Sequence, residues 1–208
     1  MGGEPVSAAP GPAPLSPGPV SVPRLLVIVA STRPGRVGGA VGDWVRARAE
    51  ESGAFDVDVA DLAELRLPFL DEAAHPRLRR YEHDHTHRWS AQVDAADAVV
   101  IVMPEYNHSF TAPLKNALDF LVQEWDGKRV GLVSYGGLSG GTRAVVALQP
   151  VLANLGMLGV HSNVEIAWVA EHVSAGVFTA TERHERALAA QLAELAAAAG
   201  AGASAPGA

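Results

Sequence analysis

The sequence predicts an α/β fold, a five-stranded parallel sheet of order 2-1-3-4-5 sandwiched between two layers of helices. Two observations carry this. Short apolar runs alternate along the chain with segments whose apolar residues recur at helical spacing, and strands that alternate with helices form parallel sheets covered on both faces. The runs are also too short for helices and end in turn-forming residues, as strands buried on both faces do.

Arg24 to Ala30 is the first such run and ends in a Ser/Thr/Pro/Gly turn. Val41, Trp44, Val45 and Ala49 then set a first helix from about Gly39 to Glu51. Phe55 to Val59 alternates as a more peripheral second strand, and a long irregular stretch starts at Asp61. The second helix is expected from Arg79 to Ala95 and the third strand from Asp97 to Met103. Ala112 to Gln123 is the third helix, Arg129 to Ser134 the fourth strand and Thr142 to Leu155 the fourth helix. Leu158 to Val164 reads as one fifth strand. An Ala-rich closing helix, Glu182 to Ala199, carries Leu188, Leu192 and Leu195 at helical spacing.

The 208 residues and 48% apolar content suit one domain with extensions, expected over residues 23–199. Residues 1–22 and 200–208 are rich in Pro, Gly, Ala and Ser and read as disordered tails, because they carry too little apolar side chain to offset the entropy of ordering. The first tail lacks the basic start and apolar stretch of a secretory signal. A formal net charge of −7 argues against nucleic-acid and anionic-membrane partners. No apolar run approaches the roughly 18 residues of a membrane span. There is no cysteine, which excludes disulfides and thiolate chemistry and suits a cytoplasmic location.

Three loops that follow buried strands carry the chemical signal. The first is Ser31-Thr32-Arg33-Pro34-Gly35-Arg36-Val37-Gly38. It enters a helix whose free N–H groups suit a phosphate, with hydroxyl donors from Ser31 and Thr32 and a charge from Arg33. It contains neither G-x-G-x-x-G nor a P-loop pattern. The second is Pro104-Glu105-Tyr106-Asn107. Pro104 closes a strand, and Asn107 suits a tight turn that it holds through its amide. Ligands bind at the carboxyl ends of strands in open parallel sheets, where this loop lies. The third is Ser134-Tyr135-Gly136-Gly137, running through Leu138-Ser139 into Gly140-Gly141-Thr142-Arg143-Ala144. Its glycines permit positive φ and a close backbone approach to a flat ligand.

These segments, in this order over roughly residues 24–165, resemble the NADPH-dependent FMN reductase family of flavodoxin-like quinone, azo-dye and chromate reductases. The second matches that family's P-E-Y-N…L-K-N-A-x-D signature through Leu114-Lys115-Asn116-Ala117-Leu118-Asp119. The resemblance implies a flavodoxin-like three-layer sandwich and FMN as cofactor. NADPH or NADH would be the electron donor, a small electrophilic molecule such as a quinone the acceptor. It assigns the 5′-phosphate to Ser31, Arg33, Arg36, Val37 and Gly38. The isoalloxazine falls to Pro104, Glu105, Tyr106 and Asn107 on one side and to Ser134, Tyr135, Gly136 and Gly137 on the other. Where the family often has Ser and Asn, this chain has Arg36 and Gly38, so two side-chain donors are missing and Arg36 brings a charge instead.

No side chain reads as a catalytic acid, base or nucleophile. The cofactor of a flavin reductase performs the redox chemistry, and the protein supplies binding and orientation. Arg143, at a helix start, suits packing or a salt bridge. Leu114, Ala117, Leu118, Phe120 and Leu121 offer more apolar surface than one helix face needs, and with the resemblance they predict a homodimer or homotetramer. His83-Asp84-His85-Thr86-His87 looks metal-like but lacks H-E-x-x-H and a third ligand, and is expected on a solvated helix face. Two other classes share the fold: a flavodoxin-type electron carrier, and a protein that keeps the fold without flavin.

Overall fold

Residues 22–202 are described by the computed structural model. The tail expected over residues 1–22 lies outside them except for Val22. That expected over 200–208 lies outside them except where the closing helix runs on to Gly202.

The strands are β1 (Arg24–Val29), β2 (Asp56–Asp61), β3 (Ala98–Pro104), β4 (Arg129–Tyr135), β5 (Leu158–Gly159) and β6 (Val164–Ile166), with a small hairpin of β7 (Val173–Ser174) and β8 (Val177–Phe178). The helices are α1 (Gly38–Glu51), α2 (Leu62–Leu65), α3 (Asp84–Asp94), α4 (Ala112–Asp119), α5 (Thr142–Asn154) and α6 (Glu182–Gly202). The main sheet is parallel in the order β2-β1-β3-β4-β5, with β6 also on β4. This is the flavodoxin-like arrangement.

Alternation along the central strands divides the core in two, because successive strand side chains point to opposite faces. Leu25 and Val27 of β1 and Val100 and Val102 of β3 pack with Val41, Trp44 and Val45 of α1 and with Leu188, Leu192 and Leu195 of α6. Leu26, Ile28, Val99 and Ile101 face the other way, onto Trp89 of α3, Leu114 and Leu118 of α4 and Leu148 of α5. The sheet is therefore covered on both faces, and the crevice for a ligand is left at the strand ends.

Three elements differ from expectation for identifiable reasons. α3 starts at Asp84 instead of Arg79, because Arg79 adopts a left-handed φ of 48° at the end of a short 3-10 turn. α4 stops at Asp119 instead of Gln123: the indole N–H groups of Trp89 and Trp125 donate to the carbonyls of Ala117 and Leu118 at 2.9 and 3.1 Å, and those carbonyls would otherwise continue the helix. The expected fifth strand is split into β5 and β6. The break strands the Leu132 carbonyl, and the Gln191 amide of α6 donates to it at 3.0 Å and to Ser162 O at 2.6 Å. Gly131 makes this possible, since a Cβ there would lie 2.6 Å from the Gln191 side chain.

The residues expected to form a dimer face, Leu114, Ala117, Leu118, Phe120 and Leu121, are at most 1% exposed within the chain itself. The early end of α4 turns Phe120 and Leu121 inward. No helix among the described residues is long and apolar enough to cross a membrane.

Candidate active site

The three loops expected to carry the chemistry converge at the carboxyl ends of β1, β3 and β4, because the parallel register brings those ends together. They enclose an open cleft of about 250 Å³ lined by Ser31, Arg33, Gly35, Arg36, Val37, Pro104, Glu105, Tyr106, Tyr135 and Gly136, together with Val169 and Ala170. Of the predicted residues, Gly38, Asn107, Ser134 and Gly137 do not line the cleft: Gly38 and Ser134 are buried, and Asn107 and Gly137 are exposed on their loops. Val169 and Ala170 were not anticipated. Nothing local marks them; they arrive because β6 pairs with β4 and the following turn is tied to the glycine loop.

In the first loop, Ser31 is buried and its Oγ lies 3.3 Å from the Tyr106 hydroxyl. Val37, the residue at the N-cap of α1, makes no side-chain cap, and the first turn holds no acidic residue, so the leading N–H groups are left for another acceptor. Arg33 is exposed and has no side-chain partner among the described residues. Arg36 is engaged: one guanidinium nitrogen donates to Ser31 O and to Asp61 Oδ1, both at 2.7 Å, and the other also bonds Asp61. Its charge therefore fastens the loop to the end of β2.

Gly38 has a structural reason. A Cβ there would stand 2.3 Å from the Tyr135 hydroxyl. That hydroxyl is buried and makes no hydrogen bond of regular geometry among the described residues, although Ser31 stands beside it. Burial pushes its pKa up against the opposing pull of Ser31, so it stays a neutral donor. An orphaned donor is costly unless something supplies an acceptor. Tyr135 thus offers a donor where the smaller residue at position 38 brings none.

In the second loop, Tyr106 and Ser109 exchange backbone hydrogen bonds at 2.9 and 3.0 Å. Asn107 and His108 between them have φ of 51° and 68°, the pattern of a two-residue type I′ hairpin. The turn is held by this backbone pair, and the Asn107 amide makes no hydrogen bond among the described residues.

Glu105 joins the second loop to the third. Its nearly buried carboxylate accepts from Ser139 Oγ at 2.9 Å, from the Arg143 backbone N–H at 3.2 Å and from the Arg143 guanidinium. Burial alone would raise the Glu105 pKa, but Arg143 and Ser139 hold it below the usual range. Arg143 also bonds His108 at 2.8 Å. In the third loop Ser134 Oγ donates to Gly140 O at 2.9 Å, and Gly136 N–H donates to Ile166 O at 3.2 Å.

The histidines of residues 83–87 stand apart from this cleft. His83 and His85 stack at 5.2 Å and share Asp71, and His87 meets Tyr81 edge-on. Among the described residues no group of three His, Cys, Asp or Glu side chains is placed to hold a metal ion.

The family model for NADPH-dependent FMN reductases matches residues 23–171. The chain belongs to that family. An NAD(P)H-dependent FMN reductase of Schizosaccharomyces pombe is 39% identical over 121 residues, which cover 57% of this chain and 60% of the relative. An enzyme of the same description from Saccharomyces cerevisiae is 35% identical over 142 residues, covering 63% of this chain and 74% of that one. Among solved structures, the flavoenzyme NAD(P)H:(acceptor) oxidoreductase FerB of Paracoccus denitrificans aligns with a TM-score of 0.69 at 22% identity, over 84% of this chain and 97% of its own. That last likeness concerns the fold.

The residues present fit the family's cofactor class. An uncapped helix start, an orphaned phenol and an exposed arginine surround one end of the cleft, as an anionic phosphate requires. Glycine and hairpin backbone at the other end suit a flat ring.

Proposed function

We propose that this chain is an FMN-dependent NAD(P)H oxidoreductase that passes two electrons to small electrophilic acceptors such as quinones. The observation that carries the reading is the convergence of the three family loops on one cleft, with the unpartnered Tyr135 hydroxyl beside the uncapped start of α1. FMN, when bound, supplies the two-electron chemistry between donor and acceptor. The first loop would hold the phosphate through the α1 N–H groups, Ser31, Arg33 and Tyr135. Arg36, paired with Asp61, would hold the shape of that loop. The Tyr106–Ser109 hairpin and the Gly136–Gly137 backbone would flank the ring, and the Glu105–Arg143 tie would keep these two walls at a fixed separation. The N–H groups of Tyr106, Ser109 and Gly136 are already engaged within the loops, so any backbone donation to a bound ring would come from Asn107, His108 or Gly137. No side chain at the cleft is assigned proton transfer; solvent reaches the open side.

Donor and acceptor would use the same open side of the cleft and so bind in turn. With NADPH and a quinone varied together, double-reciprocal plots should be parallel. Intersecting lines would show both bound at once. Failure of NADPH to bleach the bound flavin would sink the reductase reading and favour an electron carrier.

Arg33→Ala should weaken FMN affinity at least several-fold, since a charge-assisted hydrogen bond contributes about 1.5–3 kcal/mol. Fluorescence titration reads this, and an unchanged affinity would remove Arg33 from the phosphate site. The chain would work in the cytoplasm as a homodimer or higher oligomer. With the α4 leucines buried, the surface that supports this is Phe69, 86% exposed, beside an apolar hollow of about 390 Å³ between Leu62, Leu67 and Pro113. A monomeric mass by light scattering at micromolar concentration would contradict it.

A further inference from the structure

Trp168 is placed as no other tryptophan in the chain. Trp44, Trp89 and Trp125 are at most 7% exposed, and their indole N–H groups donate to Glu185, to Ala117 O and to Leu118 O. Trp168 is 52% exposed, and its indole N–H has no partner among the described residues. Its φ of 50° lies in the left-handed region, which a bulky side chain enters only at a cost. A glycine would serve the turn better, and the core gains little from this ring. Strained, exposed residues at the rim of a site point to use by a ligand.

The position is also specific. Trp168 immediately precedes Val169 and Ala170, which line the cleft. Its backbone N–H donates to Gly137 O at 3.0 Å, and that of Val169 to Gly136 O at 3.1 Å. A Cβ on Gly137 would stand 4.0 Å from the edge of the indole, so the ring lies in van der Waals reach of the glycine strip.

We infer that the Trp168 indole is a stacking wall for the planar ring of the electron acceptor, and that it selects ring-shaped acceptors over compact inorganic oxidants. This rests on the reductase reading above. Quinone rings are electron-poor and the indole face is electron-rich, so the two attract when stacked. An ion such as ferricyanide has no such face to offer.

In the FMN-loaded protein, Trp168→Leu and Trp168→Gly should each lower the ratio of kcat/KM for a naphthoquinone to that for ferricyanide by about five-fold or more, and Trp168→Phe should restore most of it. The glycine variant also suits the left-handed backbone, so a folding defect in the leucine variant leaves the comparison intact. A second readout needs no turnover. With no electron donor present, the naphthoquinone should quench wild-type indole emission along a saturable curve, and this component should vanish in Trp168→Leu. A ratio unchanged in both variants, or a saturable quench that persists without Trp168, overturns the inference. A raised KM for NADPH with an unchanged ratio overturns it too, by moving the contact to the donor. Failure of the reductase reading appears elsewhere, as wild-type flavin that NADPH does not bleach, while the quenching titration still reports on Trp168.

Discussion

Gly141→Ala should lower the melting temperature by about 6–12 °C, corresponding to a loss of roughly 3 kcal/mol in a chain of this size. Gly141 starts α5 with a φ of 89°, and a Cβ there would stand 2.6 Å from Ser134 Cβ and 2.8 Å from the Tyr135 backbone nitrogen. Both atoms belong to the end of β4 and cannot swing aside. Gly35→Ala is the control. Its φ of 69° is also left-handed, but nothing lies within 4 Å of the added carbon, so only the backbone cost of about 1 kcal/mol is expected. Calorimetry of the two variants separates strain from crowding. Equal losses would show that the contact with Ser134 relaxes freely.

Tyr135→Phe should act in opposite directions on stability and on cofactor affinity. Removing a buried hydroxyl with no partner should leave the flavin-free protein as stable as before or up to about 1 kcal/mol more so. If that hydroxyl donates to the FMN phosphate, affinity should fall about ten-fold or more, as expected for a lost hydrogen bond to a charged group. Thermal melts without FMN and fluorescence titration with it read the two effects separately. An unchanged affinity would show that the phenol serves the strand end alone. Gly38→Ala should reproduce the affinity loss, because its Cβ would displace the same oxygen. Gly39→Ala, one residue on with nothing within 4 Å, should not.

The features that could be read from the sequence are those set by near neighbours. Leu25 to Val29 and Ala98 to Met103 are apolar without interruption, and only strands covered on both faces need that. The site loops followed, because a parallel sheet gathers the ends of such strands. What could not be read depends on partners far along the chain. Arg36 meets Asp61 across 25 residues, and Glu105 meets Arg143 across 38. The break between β5 and β6 needs Gln191 opposite Gly131, and Val169 and Ala170 reach the cleft only after β6 has paired. The apolar residues at the end of α4 suggested an outward face because the indoles that end that helix come from elsewhere, one from α3 and one from beyond the helix itself.

The common direction of the paired strands has a practical side. All cleft residues sit at one end of the sheet, while the turns at Gly53, Gly127 and Gly156 lie at the other, a strand length of roughly 20 Å away. Insertions, affinity handles or surface attachment points placed in those distal turns would leave the cleft facing outward and unobstructed. Immobilising the protein there on an electrode or resin should preserve turnover that anchoring through the 106–109 hairpin would block.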